Sequence, residues 1–528
     1  MQESKTLLTP FVSNTEENIF VLQNLPEVIK GALFSRYSRS KLGLRELLQK
    51  EFLQNQEAGF EGNEKDLSCV NIKKAVDFYD RILDGYGDDS VAELGGAHLA
   101  FESVSMLATK ILEDARIGGS PLEKSTRYIP FDDKVDGKYR YHRDKNIMQS
   151  CLGEEYEKRM DALFSTYSSL LGPMTDRIEK LYPLQEGTSE AAWRTSVRAL
   201  VFDCLRGLLP AATLTNLGFY GNGRFFESLL MKMRLHPFEE VQSIAERGFL
   251  ELSKVIPSFV KRAEKEHRHF KAYSGYMEKL KDLVENLDKP AVQHKEQGFR
   301  VKLIHAPAKE VIDQLLASLI YEETDQGFDE ILSFIQTTPK SKKKEILQAL
   351  GAIRQNRRHK SPRALEHADF TFEIVADFGC FRDLHRHRIL TQQKQKLDCD
   401  LGYFVPDEIA GTEMEPIYRE ALEEAKSFFD KLKQICPLES QYAVPMAYNI
   451  RWYVKINLRA LQWMVELRST PQGHPEYRKV AQQMAKLVME NFEELTPLLS
   501  FVDFSEHAIG RLAQEERSLK KKGVQHAN

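Results

Sequence analysis

The sequence predicts an α+β fold made of two tandem copies of one unit, each a small mixed sheet with long amphipathic helices. Three observations carry this. Asp369-Phe-Thr-Phe-Glu-Ile374 alternates polar and apolar side chains with the two-residue period of a half-buried strand. Behind it, Phe378, Phe381 and His385 recur at the spacing of one helical face, in a helix-like stretch from Phe378 that ends in Arg386-His387-Arg388. The third observation is that these landmarks have counterparts earlier in the chain.

In the first half, Ser90-Val-Ala-Glu93 is followed by Ala97-His-Leu-Ala-Phe101-Glu102. In the second, Ser361-Pro-Arg-Ala-Leu-Glu366-His367 is followed by Ala368-Asp-Phe-Thr-Phe372-Glu373. Each leads into a helix-like segment, Val104 to Glu113 and Phe378 to Arg388, and then to Arg-Ile at 116–117 and 388–389. Pro210 stands twelve residues before Asn222-Gly-Arg224, and Pro445 twelve before Asn457-Leu-Arg459. His236-Pro237 and His474-Pro475 then each open a charged amphipathic stretch. The order predicts homologous domains at 15–285 and 300–510, joined by a polar linker from Asp288 to Gly298 that contains Pro290. Each copy is expected to begin with a helical segment, offer a strand, a helix and an irregular loop, and end in long helices.

Composition narrows the function classes. With 528 residues and a net charge of −4, the chain has ample length for two cores and no bulk attraction to nucleic acid or an anionic membrane. The amino terminus lacks the basic-then-apolar layout of a secretory signal, and the longest apolar run, Ala199 to Leu214, is broken by Asp203 and Arg206. Six scattered cysteines form no short-spaced pairs, which argues for a reducing compartment and against zinc. A cytoplasmic protein is expected.

Arg386-His387-Arg388 is the chain's most informative cluster. Two guanidiniums and an imidazole in a row suit the holding of an anion or an electron-rich ring; a solvated charge run is the alternative. His385 and His387 lack a third ligand at a convincing spacing, so no metal is expected. No Gly-x-Gly-x-x-Gly or Walker loop is present, which disfavours a Rossmann-type site.

At these residues the chain resembles the flavin-dependent thymidylate synthases, in a long, internally duplicated form. That family's signature is Arg-His-Arg, seven residues, then Ser-x-Arg, preceded by Glu-His opening a strand and followed by a Pro…Asn-x-Arg helix. The resemblance implies reductive methylation of dUMP to dTMP by an FAD-dependent methyltransferase, with NADPH and methylenetetrahydrofolate as co-substrates. It assigns FAD to His367, Arg386, His387, Arg388, Asn457, Arg459 and His474. It assigns the nucleotide to Glu123, Ser125, Arg127 and Arg206. Catalysis falls to Arg386, Arg388 and Arg127, which polarise the pyrimidine and hold the flavin without a protein nucleophile. Because the family assembles as a tetramer, two double-copy chains should form an equivalent homodimer.

The departures divide the labour between copies. Seven residues after Arg386-His387-Arg388 stand Lys396, Leu397 and Asp398, so the family's serine and arginine are gone, and Asp383 replaces the usual glutamine. In the first copy the Arg-His-Arg place reads Asp114-Ala115-Arg116. That copy nevertheless keeps Glu123-Lys-Ser125-Thr-Arg127-Tyr128, the family's Glu-x-Ser-x-Arg-Tyr loop. The phosphate-clamping arginine survives as Arg206 and is Gln441 in the second copy.

A nucleotide dianion calls for guanidinium forks, for which Arg127, Arg206 and Arg468 are candidates. A loop salt bridge for Arg127, an internal ion pair for Arg206, a turn role for Ser125 and a helix-start role for His474 are the structural alternatives. Two other functions stay open: a flavin-dependent methyltransferase acting on another pyrimidine or on RNA, and a non-catalytic flavin- or nucleotide-binding protein.

Overall fold

Alternation at 369–377 and again at 449–457 makes two strands that pair antiparallel along their whole length. The computed structural model describes residues 8–38, 40–53, 92–290, 297–507 and 509–525. Ser90 and Val91, which open the first copy's landmark, lie outside these, as does most of the linker. In chain order the strands are β1 (Gly96–Ser105), β2 (Gly119–Glu123), β3 (Lys134–Val135), β4 (Lys138–Tyr139), β5 (Leu214–Asn222), β6 (Arg300–His305), β7 (Asp369–Asp377), β8 (Thr391–Lys394) and β9 (Asn449–Asn457). Two of the sheets repeat one topology: β1-β5-β2 in the first copy and β7-β9-β8 in the second, with β6 added beside β7.

The described residues form two compact units. The first lies within 8–104, 111–123 and 215–290, the second within 105–110, 124–214 and 297–525. In the second unit β7 runs against β9 from Asp369↔Asn457 to Asp377↔Asn449, and β8 flanks β9. Phe370, Phe372 and Ile374 on β7 and Ile450, Trp452, Val454 and Ile456 on β9 are buried. The helix Pro475–Asn491 packs against β6 and β7 with Val480, Ala481, Met484 and Val488 inward, a three- and four-residue stripe.

The repeat is written into the hydrogen bonds. Ser105 and Asp377 each cap the helix that follows, accepting from the N–H of Ala108 and Cys380, both at 2.9 Å. Asn222 and Asn457 cap the helices Gly223–Arg234 and Leu458–Arg468. His236 and His474 each accept through Nδ1 from the backbone two residues on, both at 3.2 Å.

Within the second unit, residues 207–212 and 442–447 pair antiparallel about Pro210↔Pro445. Ala211 N–H donates to Val444 O and Met446 N–H to Leu209 O. Ala212 N–H donates to Tyr442 O and Ala447 N–H to Gly207 O. Each bond is the other's mate under exchange of the copies, the reciprocity of an isologous contact.

Four expectations need correction. The helix beginning at Phe378 stops at Leu384, capped by Asp377, so Arg386-His387-Arg388 lies in the turn beyond it. Its first-copy counterpart starts at Met106, because Val104 and Ser105 still belong to β1. The stretch before Asn457 is a strand, and the second copy opens on strand β6 rather than on a helix.

Candidate functional site

The turn after Leu384 and the start of the helix Leu458–Arg468 meet around a cavity of about 570 Å3 in the second unit. Five of the residues expected to hold flavin line it: Arg386, His387, Arg388, Asn457 and Arg459. The basic segment Arg357-Arg358-His359-Lys360 also lines it as a wall, and Ile389, Leu390, Ile456, Ala460 and Trp463 supply apolar surface. Arg357 sits over the Trp463 ring, 6.0 Å from its centroid. Cationic walls with an apolar, aromatic floor suit a ligand that joins a flat ring to phosphates. That donor set fits FAD.

One buried ion pair, one exposed pair and an arginine–imidazole contact hold the walls. Arg354 donates to both Glu466 oxygens at 2.8 Å and also to the carbonyls of Arg357 at 3.3 Å and His359 at 3.2 Å, so it fixes the basic segment. Arg459 donates to Glu366 at 2.6 Å and to Ser361 O at 2.8 Å. Arg468 Nε–H donates to His387 Nε2 at 2.8 Å, so the imidazole is neutral with its proton on Nδ1. Burial, then Arg468, keeps that imidazole well below its ordinary protonation range.

The nucleotide candidates form a second cluster in the same unit. Arg127 grips Asp203 with Nε at 2.6 Å and Nη2 at 2.7 Å, and its Nη1 donates to Tyr477 Oη at 3.1 Å. Arg206, 3 % exposed, donates to Asp383 at 3.0 Å. Both aspartates resist their burial and stay ionised because arginines surround them: Arg127 and Arg511 for Asp203, Arg206, Arg127, Arg386 and Arg468 for Asp383.

Arg468 and Arg511 are different. Burial leaves both guanidiniums below their ordinary value, against the pull of Tyr477 and Asp383 on Arg468 and of Asp203 on Arg511. Ser125 accepts from Arg127 N–H at 3.2 Å, a turn contact. Gln441, standing in for the second copy's arginine, is closed off by Leu397 N–H and Leu438 O, both at 3.0 Å.

Beside this cluster Asp377 Oδ1 caps its helix, while Oδ2 is buried without a hydrogen bond. Burial pushes its carboxyl up to about 7, with Arg206 offsetting only part. An ordinary carboxyl near 3.8 releases its proton on unfolding, so this group's contribution is full below about pH 4 and is lost as pH rises through 7. Asp377→Asn keeps the cap and should remove that loss. Urea midpoints at pH 5 and 8 are expected to fall further for wild type than for the variant; equal falls would refute the assignment. His474, held neutral down to about 3 by burial, acts in the opposite sense below 6.5 and is present in both proteins.

The remaining expected residues lie elsewhere. His367 stacks on Phe328 at 5.9 Å and does not line the cavity. His474 is buried, with Nε2 3.3 Å from Asp203 O, and its Nδ1 starts a helix. Glu123 is buried at the end of β2 in the first unit. Among the described residues no group of three or more His, Cys, Asp or Glu is placed to hold a metal. No helix there is long and apolar enough to cross a membrane.

In the first copy the place of Ala460 is taken by Phe225. Its ring fills the space where a Cβ at Gly119 would stand and packs 5.4 Å from Phe219. Gly118 reaches φ +91 to bring the chain in beside it. Arg224 still pairs with Glu93 at 2.7 Å, as Arg459 does with Glu366 at 2.6 Å. The Arg–Glu pair persists there, and a phenylalanine stands in the place of a small cavity-lining residue.

Sequence reasoning missed Asp203, Tyr477, Arg511 and the 354–360 wall. The wall had a visible signal in its run of basic residues. Arg511, one residue beyond the expected second domain, had none.

Duplicated topology and a cavity lined by cationic and apolar side chains define a two-copy α+β protein. The sequence model of the thymidylate synthase complementing protein family matches residues 40–258 and 302–493, and the chain belongs to that family. It is 48 % identical over 520 residues to a UPF0159 protein of Chlamydia muridarum, covering 98 % of each chain. It is 30 % identical over 160 residues to the flavin-dependent thymidylate synthase of Pyrococcus abyssi, covering 28 % of this chain and 64 % of that one. A solved UMP/dUMP methylase of Streptomyces cacaoi, bound with 5-Br dUMP, overlaps 40 % of this chain and 98 % of its own at 18 % identity and a TM-score of 0.32.

Proposed function

We propose that this protein methylates dUMP to dTMP, taking the carbon from methylenetetrahydrofolate and the reducing equivalents from NADPH through FAD. The observation that carries the reading is the convergence of Arg386, His387, Arg388, Asn457 and Arg459 on one cavity. Family membership and the 30 % identity to a flavin-dependent thymidylate synthase support it. The two copies span 15–285 and 300–510, and two chains form a cytoplasmic homodimer.

Each group then has a task. Arg386, Arg388 and Arg459, with the 357–360 wall, balance the charge of a dinucleotide and of a reduced, anionic ring. Trp463 and Ile389 give the ring an apolar face. Arg468 and Arg511 accept the nucleotide phosphate beside Arg127, and Ser125 shapes the loop that presents it. FAD, when bound, supplies the electrons that reduce the transferred one-carbon group to a methyl. The arginines polarise the pyrimidine through fixed charge, so no nucleophile is required.

One FAD per chain is expected. The first copy has Asp114 and Ala115 in place of Arg386 and His387, and Phe225 in place of Ala460. Absorbance titration of apoprotein should break at one equivalent; an endpoint near two would show that the first copy still binds its own. The function itself is tested by rescue of a thymidine-requiring bacterial strain. Growth without thymidine is expected, and failure to grow with the protein expressed and folded would overturn the reading.

A further inference from the structure

The cavity and the Arg127 cluster are joined by Tyr477 and Arg468, and the contact of Arg468 with His387 has no part in the activity proposed above. Tyr477, buried, has two guanidiniums near its ring: Arg127 at 5.4 Å and Arg468 at 5.5 Å from the centroid. Arg127 Nη1 donates to the Tyr477 hydroxyl at 3.1 Å, and Arg468 Nε donates to His387 Nε2 at 2.8 Å. His387 lines the cavity.

An arginine on one ring nitrogen leaves an imidazole a single option. Arg468 has no acceptor, so Nε2 must carry the lone pair and Nδ1 the proton. Isolated imidazoles exchange between tautomers, and a group that fixes one of them decides whether the site meets a donor or an acceptor.

We propose that Arg468 and Tyr477 are positioning residues that hold His387 as a neutral Nδ1–H donor for the cavity. Tyr477 supplies a ring against which Arg468 rests, and Arg127 holds its hydroxyl. The ligand that benefits carries an acceptor, a ring carbonyl or a phosphate oxygen. That it is the flavin rests on the reading above; the tautomer does not.

The test therefore needs no ligand. Ring nitrogens of histidine are labelled with 15N in the full-length apoprotein at pH 7, and the His387 signals are assigned by loss in His387→Gln. Wild type should show a protonated Nδ1 and an unprotonated Nε2. A proton on Nε2 in wild type would overturn the proposal without any variant.

Arg468→Met should give a mixed tautomer signal, and Arg468→Lys, which still donates, should restore the wild-type pattern. Tyr477→Phe keeps the ring and should leave the tautomer unchanged, whereas Tyr477→Leu should mix it. An unchanged pattern in Arg468→Met would also refute the assignment. As a second readout, FAD affinity from absorbance titration should fall about tenfold in Arg468→Met, the loss of one good hydrogen bond. If wild type binds no flavin while the tautomer pattern holds, the flavin reading fails and the positioning role stands.

Discussion

Arg127→Ala is expected to weaken dUMP binding more than tenfold and to cost about 3–5 kcal/mol of stability, because it strands a buried carboxylate. Asp203 now receives two short bonds from Arg127, and only a 3.5 Å approach from Arg511 would remain. The two effects separate in the double variant Arg127→Ala with Asp203→Asn. Removing the stranded charge should recover most of the stability and none of the binding, since the phosphate seat loses a guanidinium worth about 1.5–3 kcal/mol. Urea unfolding and calorimetry with dUMP measure each half. Normal dUMP affinity in the double variant would make the Arg127 loop purely structural.

Arg354→Met is expected to be comparably disruptive, and to remove flavin binding by unfastening the basic wall that Arg354, itself a lining residue, holds in place. Glu466 is fully buried, and its carboxylate depends on Arg354 for both oxygens. Breaking such a pair from one side costs about 3–5 kcal/mol, while replacing both partners with apolar residues of similar size is often neutral. Arg354→Met with Glu466→Leu should therefore refold. It should still bind FAD poorly, because the carbonyls of Arg357 and His359 lose the guanidinium that orders the basic wall. Flavin retention on gel filtration reads this directly. Wild-type retention in the refolded double variant would show that the wall is dispensable.

How far the sequence could be read follows from where the information is local. The strand at Asp369 was legible because alternation is a property of neighbours, and the repeat because caps such as Asn222 and Asn457 recur at equal distance from Pro210 and Pro445. The cavity was half legible: its turn and helix-start residues carry a motif, whereas Trp463 and the 357–360 wall meet them only through folding. The internal pairing of Arg127 and Arg206 was an open alternative that the structure brings forward, with Asp203 and Asp383 as the partners. Asp383 was visible as a substitution, but its effect depends on Arg206, which lies 177 residues away. The exchange of Ala460 for Phe225 between the copies was out of reach as a change to the site, since a buried phenylalanine at helical spacing reads as core.

Product formation by the purified protein tests the central claim most directly. With FAD, NADPH, methylenetetrahydrofolate and dUMP present, chromatography should show dTMP accumulating, and omission of any one of the four should abolish it. Tight binding of FAD and dUMP with no dTMP formed, or methyl transfer to RNA or another pyrimidine in its place, would contradict the account.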